Sequence, residues 1–292
     1  MSGEKVLVLN ATGKVGRNTC RALKEAGFEV FGTTRSKNSD LAKLGVKPVV
    51  CDYTDRVSLD WALNETGAKK LFSITDYFGA AKANAATEIA HGKNAVDAAK
   101  AAKIEHVIFV SVSDAELFNE HVRHIKTKVA IEDYLRKSDV PFSILRPTNF
   151  FENLDDAKSW NPLKKGAVKF LTIKKCKYCA TYDIGRAAAV MFKNQEAWLG
   201  RTLDVIGWEG DLSQVAQALQ KVGGVPVKHS LAMPIFFRRL FLKDLHNMFL
   251  YFEAGGPKGT PEEFKRVVPD ALSAEDWFRF HGHYANGDRI GS

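Results

Sequence analysis

Val6-Leu7-Val8-Leu9-Asn10-Ala11-Thr12-Gly13-Lys14-Val15-Gly16 is the stretch whose reading decides the fold of this chain. Val6 to Leu9 is a short, wholly apolar run, as expected of a parallel strand buried on both faces. A turn of small residues follows, with glycine at 13 and 16. From Val15 to Leu23 apolar residues recur at helical spacing. Strand, glycine turn and helix in this order suit a dinucleotide, because backbone N–H groups and the positive end of the helix dipole then face its pyrophosphate. Gly13 lets phosphate approach the backbone, and Gly16 lets the helix pack closely on the strand. The spacing is G-x-x-G-x-x-G with Asn10 in the first glycine's place. Asparagine is the non-glycine residue that best tolerates unusual backbone angles, so the turn survives the exchange.

The rest of the first half repeats the rhythm. The patterning predicts strands over residues 28–33, 49–51, 70–75, 107–111 and 142–146, with helices near 59–64, 83–102 and 121–137. The expected architecture is α/β, with a Rossmann-type doubly wound parallel sheet over residues 1–150 and helices on both faces. After Arg146 the rhythm breaks into the irregular stretch from Pro147 to Lys165. Short strands (168–173, 202–205), helices (184–193, 212–222) and an aromatic-rich tail follow. Residues 151–292 are expected to form a smaller C-terminal α+β lobe covering the cofactor crevice, with some segments returning to the core.

Composition narrows the class. The 292 residues are 45% hydrophobic, ample for a packed core. A net charge of +8 suits phosphorylated ligands, yet is too diffuse to demand nucleic acid. Four cysteines form no dense framework, and the N-terminus runs directly into the first strand, which points to a reducing, cytoplasmic setting. No apolar run reaches membrane-spanning length, so neither nucleic acid nor a membrane is an expected partner.

The end of the second strand normally reads the adenosine ribose: an acid there selects NAD, a base accommodates the 2′-phosphate of NADP. Here the stretch is Thr33-Thr34-Arg35-Ser36-Lys37-Asn38-Ser39, with no acid before Asp40. Arg35 can fork two donors onto a phosphate and Lys37 adds a point charge, so NADP(H) is the expected cofactor. Asp52 and Tyr53 follow the third strand, Thr75 the fourth, and Ser111 ends the fifth, all directed at one crevice.

Together these pieces resemble the NmrA-like group of the atypical short-chain dehydrogenase/reductase superfamily. The resemblance rests on the N-terminal turn, Thr34-Arg35, Asp52-Tyr53, Thr75-Asp76-Tyr77, the helix containing Gly92-Lys93, Phe150-Phe151-Glu152-Asn153 after Arg146-Pro147, and Asp244-Leu245-His246-Asn247-Met248-Phe249. It implies that Asn10 to Gly16 bind pyrophosphate and that Arg35 to Ser39 hold the 2′-phosphate. It further implies that Asp52 and Tyr53 flank adenine. Thr75 to Tyr77, Lys128 and Phe150 to Asn153 would line the ribose and nicotinamide side. Classical members of the superfamily carry Tyr-x-x-x-Lys. Here His124 stands where the tyrosine would be, and Lys128 is kept. Members of the NmrA-like group also lack that tyrosine and include transcriptional regulators and redox sensors, whereas isoflavone-reductase-like relatives use a lysine alone. The resemblance therefore implies a redox-state sensor or regulator with a protein partner. The alternative is an NADPH-dependent reductase of a small carbonyl or quinone-like substrate in which Lys128 is catalytic.

Other signals have plainer explanations. Lys128 and His124 share a helix face; a ribose contact is expected of the lysine and a solvated position of the histidine. Cys176-Lys177-Tyr178-Cys179 lacks the second pair that a zinc knuckle needs, and His281 and His283 lack a third ligand, so no metal site is expected. Lys164 to Lys177 holds six lysines and reads as a solvated edge strand. In Ile235-Phe236-Phe237-Arg238-Arg239-Leu240-Phe241 the expectation is aromatics packed inward and arginines reaching water, rather than contact with a membrane surface.

Overall fold

Strands of this sequence carry β-branched and aromatic residues, and the helices that start at Arg56, Ala85, Leu212, Pro261 and Ala274 begin at side-chain caps, so local preference and tertiary role agree there. The computed structural model describes residues 3–36, 40–118, 120–154 and 166–282. In chain order the elements begin with β1 (Lys5–Val8), α1 (Lys14–Glu25), β2 (Glu29–Thr34), β3 (Lys47–Val50), α2 (Arg56–Thr66) and β4 (Lys70–Ser73). Next come α3 (Ala85–Ala101), β5 (His106–Val110), α4 (Arg123–Lys137), β6 (Phe142–Pro147), β7 (Asn149–Phe150), β8 (Ala167–Phe170) and β9 (Cys176–Cys179). The chain continues with α5 (Thr181–Lys193), α6 (Gln195–Trp198), β10 (Thr202–Val205), β11 (Trp208–Gly210), α7 (Leu212–Gly223) and β12 (Lys228–Leu231). It ends with α8 (Ile235–Phe241), α9 (Lys243–Glu253), α10 (Pro261–Lys265) and α11 (Ala274–Phe280).

Two compact units divide these elements. The first comprises Met1–Glu116, Arg123–Arg146 and Thr181–Asp204; the second comprises Leu117–Val122, Pro147–Ala180 and Val205–Ser292. The first is built on a seven-stranded sheet in the order β10-β6-β5-β4-β1-β2-β3. Its pairings from β3 through β6 are parallel. This is the doubly wound order, whose direction reverses between β1 and β4, and ligands of such sheets bind outside the carboxyl ends of the strands at that reversal. Val6, Leu7 and Val8 are fully buried, as a strand covered on both faces requires. Each such side chain contributes about 1.5–3 kcal/mol over exposure.

Helices of the first unit are fitted to one another by glycine. A Cβ on Gly185 of α5 would lie 2.6 Å from Thr19 Cα of α1, and one on Gly92 of α3 would lie 2.5 Å from Ile131 Cδ1 of α4. The α1–α5 seam carries a further bond from Asn18 Nδ2 to Thr181 Oγ1 at 2.6 Å. Residues 181–204, although late in the chain, thus complete the first unit, and β10 reaches the edge of β6 through Ile144 N–H donating to Arg201 O at 3.0 Å.

The second unit holds a three-stranded sheet, β11-β9-β7, and the pair β12-β8. Phe151, Tyr178 and Trp277 form its aromatic centre, with Phe151 stacked 5.4 Å from Tyr178 and 5.7 Å from Trp277. Helices α7, α10 and α11 each begin with a reciprocal capping box. Two expectations are corrected here. Lys177 is not solvated: it is 7% exposed, and its ammonium donates to Pro257 O and Gly259 O. In α8 the expected arrangement holds only at exposed Arg239. Arg238 is buried at 1% exposure, whereas Phe236 and Phe241 are 68% and 69% exposed.

Candidate dinucleotide site in the first unit

The turn after β1 needs one left-handed residue, and Asn10 supplies it with φ 51°. Its carbonyl accepts the Gly13 N–H at 3.0 Å and closes the turn. Gly13 then caps α1 in ordinary extended backbone, φ −76° and ψ 167°, so its small size rather than its conformational freedom is what the position uses. A Cβ there would sit 3.1 Å from the Asn10 amide. At Gly16 a Cβ would lie 2.1 Å from Asn10 O, a backbone atom that cannot swing aside. Ala11 is buried and pressed against β2, where a Cβ on Gly32 would meet it at 2.8 Å. Thr12 and Lys14 are exposed and Val15 is buried. Gly13 provides no side-chain cap and the first turn of α1 holds no acid, so its N–H groups and the helix dipole are left for an anion.

Arg35 leaves the end of β2 exposed to solvent, and an ST turn in which Ser36 N–H donates to Thr34 Oγ1 at 3.2 Å sets its direction. Its charge acts on Asp52 at the end of the neighbouring β3. Burial pushes the Asp52 carboxyl upward, but hydrogen bonds from the Thr54 hydroxyl and N–H, with the charges of Arg35 and His91, hold it below its ordinary value. Burial, reinforced by the Asp76 charge, raises the Tyr53 phenol. Lys37, Asn38 and Ser39 lie outside the described residues.

At the end of β4, Thr75 enters a buried network that sequence reading had not joined. Lys128 Nζ donates to Glu88 Oε1 at 2.6 Å, to Thr75 Oγ1 at 2.5 Å and to Thr75 O at 3.2 Å. Thr75 Oγ1 donates to Glu88 Oε1 at 2.7 Å, and Thr127 Oγ1 donates to Glu88 Oε2 at 2.5 Å. Glu88 is 0% exposed and Lys128 8%. An ammonium has three donors, and all three are engaged within the protein. Asp76 turns back on its own loop, accepting the Gly79 N–H at 2.8 Å and the Ala80 N–H at 3.3 Å. Tyr77 is buried, with the Phe78 ring 5.1 Å away and the His124 ring 6.0 Å away. Half-buried His124 thus sits against two aromatic rings. Ser111, at the end of β5, has a buried hydroxyl with no hydrogen-bond partner.

The first unit therefore gathers Asn10 to Gly16, Arg35, Ser36, Asp52, Tyr53, Thr75 to Tyr77, Ser111 and Lys128 at one end of its sheet. Phe150 to Asn153 belong to the second unit. Phe151 there is a fully buried core residue, Glu152 accepts from Trp277 Nε1 at 3.2 Å, and Phe150 and Asn153 are half-buried.

The NmrA-like family model matches residues 2–274. The chain belongs to the NmrA-like family. The curated relatives it resembles include photosystem II assembly factor Ycf39 from two organisms. The protein of Guillardia theta is 27% identical over 80% of this chain and 76% of its own length. That of Cyanophora paradoxa is 31% identical over 51% of this chain, and the match spans only 46% of the relative. Among solved structures, NmrA, a negative transcriptional regulator in complex with NADP, superposes with a TM-score of 0.75 at 19% identity, covering 99% of both chains. Triphenylmethane reductase of Citrobacter sp., complexed with NADP(H), gives 0.74 at 19% identity over 93% of this chain and 98% of that one. At such identity these likenesses establish the fold.

Within this NmrA-like chain, Glu88, Thr127 and His91 escaped the sequence reading. Glu88 lies in register with the buried Gly92, Ala95 and Ala99 of α3, so a lone carboxylate on an apolar stripe was the available signal. His91, one turn from Glu88, keeps a buried Nδ1 without a partner, and burial lowers its pKa. The two CxxC thiols form no disulfide, are buried and lie three residues apart on β9, so they project from opposite faces of the strand. Burial pushes the Cys176 thiol up to about 12, which removes the thiolate that redox or metal chemistry needs. Among the described residues, His, Cys, Asp and Glu form no group able to hold a metal ion.

Proposed function

We propose that this chain binds NADP(H) at the strand ends of its first unit and acts as a sensor or regulator of the NADP(H) state. The observation that carries the reading is the commitment of Lys128. With its donors held by Glu88 and Thr75, the lysine joins α3, α4 and the end of β4. It is a structural cation whose hydrogen-bond donors are spent within the protein. The surroundings suit the ligand: an uncapped α1 terminus beside Gly13 for the pyrophosphate, Arg35 for the 2′-phosphate, Asp52 and Tyr53 for adenine. Thr75 to Tyr77 and the unpartnered Ser111 hydroxyl suit the ribose and nicotinamide side. The chain contributes binding and orientation, and a change of state follows only from unequal affinity of two conformations for the ligand.

A second reading, NADPH-dependent reduction of a small carbonyl or quinone-like substrate, draws on His124. Its imidazole lies 5.4 Å from the exposed Phe78 ring and one helical turn before Lys128, where a titratable group could deliver a proton. Hydride would be the bound cofactor's contribution. The deciding experiment pairs NADPH and NADH titration with single-turnover NADPH oxidation across a carbonyl and quinone panel. Tight NADPH binding without oxidation is expected. A substrate-dependent oxidation by the wild type that falls sharply in a folded His124→Ala overturns the sensor reading.

A further inference from the structure

Among the described residues, the helix α8 holds five of the exposed large hydrophobic side chains. Of its seven residues, Ile235, Phe236, Phe237, Leu240 and Phe241 are between 48% and 69% exposed. At helical spacing Phe236, Leu240, Phe237 and Phe241 form one continuous outer arc. Their rings pack on one another: Phe237 and Phe241 lie 6.0 Å apart and nearly parallel, and Phe236 meets Phe237 edge-on at 5.8 Å.

This exposure is fixed by the residue on the opposite face. Arg238 points inward, where its Nη1 donates to Leu171 O at 2.6 Å and to Glu253 Oε1 at 3.0 Å, and its Nε donates to His246 Nδ1 at 3.2 Å. Rolling α8 to hide the phenylalanines would strand the Glu253 carboxylate and the arginine, a loss of several hydrogen bonds to charged groups. A soluble helix ordinarily shows its arginine to water and hides its phenylalanines. Here the anchor imposes the reverse.

Charge indicates what covers such a surface. With Arg238 turned inward, Arg239 and Lys243 are the cations that this segment leaves at the surface, and half-buried Asp244 follows them. Arg239, on the helix, and Lys243, two residues beyond its end, are both exposed. A short helix with phenylalanine and leucine on its outer face and cations at the rim matches the interface between anionic headgroups and acyl chains. We propose that α8 is a peripheral docking surface for an anionic lipid bilayer. Among the described residues no helix is long and apolar enough to cross a membrane, so the contact is one of lying on the surface, not spanning it.

The test is flotation of the full-length protein with vesicles of phosphatidylcholine alone or with about one third phosphatidylglycerol. Wild type is expected to float with the anionic vesicles at low salt. Phe236→Ser/Phe241→Ser and Arg239→Glu/Lys243→Glu should each weaken this by about tenfold or more. Unfolding temperature and circular dichroism, which these exposed changes should leave near wild type, verify that the variants are folded. Absence of wild-type flotation, or flotation that both variants retain, overturns the proposal. So does a dimer that sedimentation detects in wild type and not in Phe236→Ser/Phe241→Ser, since a second copy of the chain would then cover the face.

Discussion

Lys128 Nζ lies 2.6 Å from Glu88 Oε1, with the two side chains 10% and 0% exposed. This pair ties the middle of α4 to the start of α3 directly behind Thr75. Removing one partner of a buried pair leaves an uncompensated charge. Lys128→Met should therefore destabilise the protein by about 3–5 kcal/mol, and Lys128→Met/Glu88→Gln by clearly less. Urea unfolding of the three proteins measures this. The single change should also weaken NADPH by roughly tenfold, about 1.4 kcal/mol, through the loosened end of β4. A neutral Lys128→Met would show that the pair does not hold the helices together.

Arg35 stands where an acid would read a ribose hydroxyl. Arg35→Ala should weaken NADPH binding by about 1–3 kcal/mol, the value of a lost charge-assisted hydrogen bond, and leave NADH almost untouched. Parallel calorimetric titrations with the two cofactors check this. Equal losses would make Arg35 a support for its neighbour Asp52 instead.

The two glycines of the first turn should fail differently. Gly13→Val places a branched side chain in the mouth of the turn, against an Asn10 amide that can move. The protein should fold, and binding of both NADPH and NADH should be lost. Gly16→Val drives carbon into the Asn10 carbonyl and should prevent folding of the first unit. Soluble yield, circular dichroism and cofactor titration separate the outcomes. Undiminished affinity in Gly13→Val would remove the phosphate assignment.

His106 gives the first unit a pH dependence. Buried in β5, with Nε2 2.7 Å from Ser143 Oγ, it has its pKa lowered by burial and then by the Lys70 charge, from 6.5 to about 4. Between those values the unfolded chain binds the proton and the native one does not. The contribution to stability is complete above pH 6.5 and is lost as pH falls toward 4, by roughly 3 kcal/mol in total. Urea unfolding of wild type and His106→Asn at several pH values should show a slope between pH 6.5 and 4 that the variant lacks. An unchanged slope would reassign it to other groups.

Much of the first unit was legible because its signals are local. The apolar run at Val6–Leu9, Asn10 with its two glycines and the strands ending at Thr34, Val50, Ser73 and Val110 each follow from neighbours in sequence. The Glu88–Lys128 pair spans 40 residues, and nothing in either segment alone says that both side chains turn inward. Charge patterning misled at Lys177 and Arg238 for one reason. Both look like solvent residues beside apolar ones, and both are buried because distant backbone carbonyls accept their protons.

The return of residues 181–204 to the first unit bears on how the molecule is made. A nascent chain that has emerged only to residue 150 already contains the glycine turn and β1 to β6. It still lacks the helix whose Gly185 nests against Thr19 and the strand that shields β6. Until Asp204 has cleared the ribosome, β6 offers an open edge and one flank of α1 stays bare. A Rossmann fragment excised at residue 150 would inherit the same exposed flank permanently, so any working minimal version of this protein has to carry residues 181–204 with it.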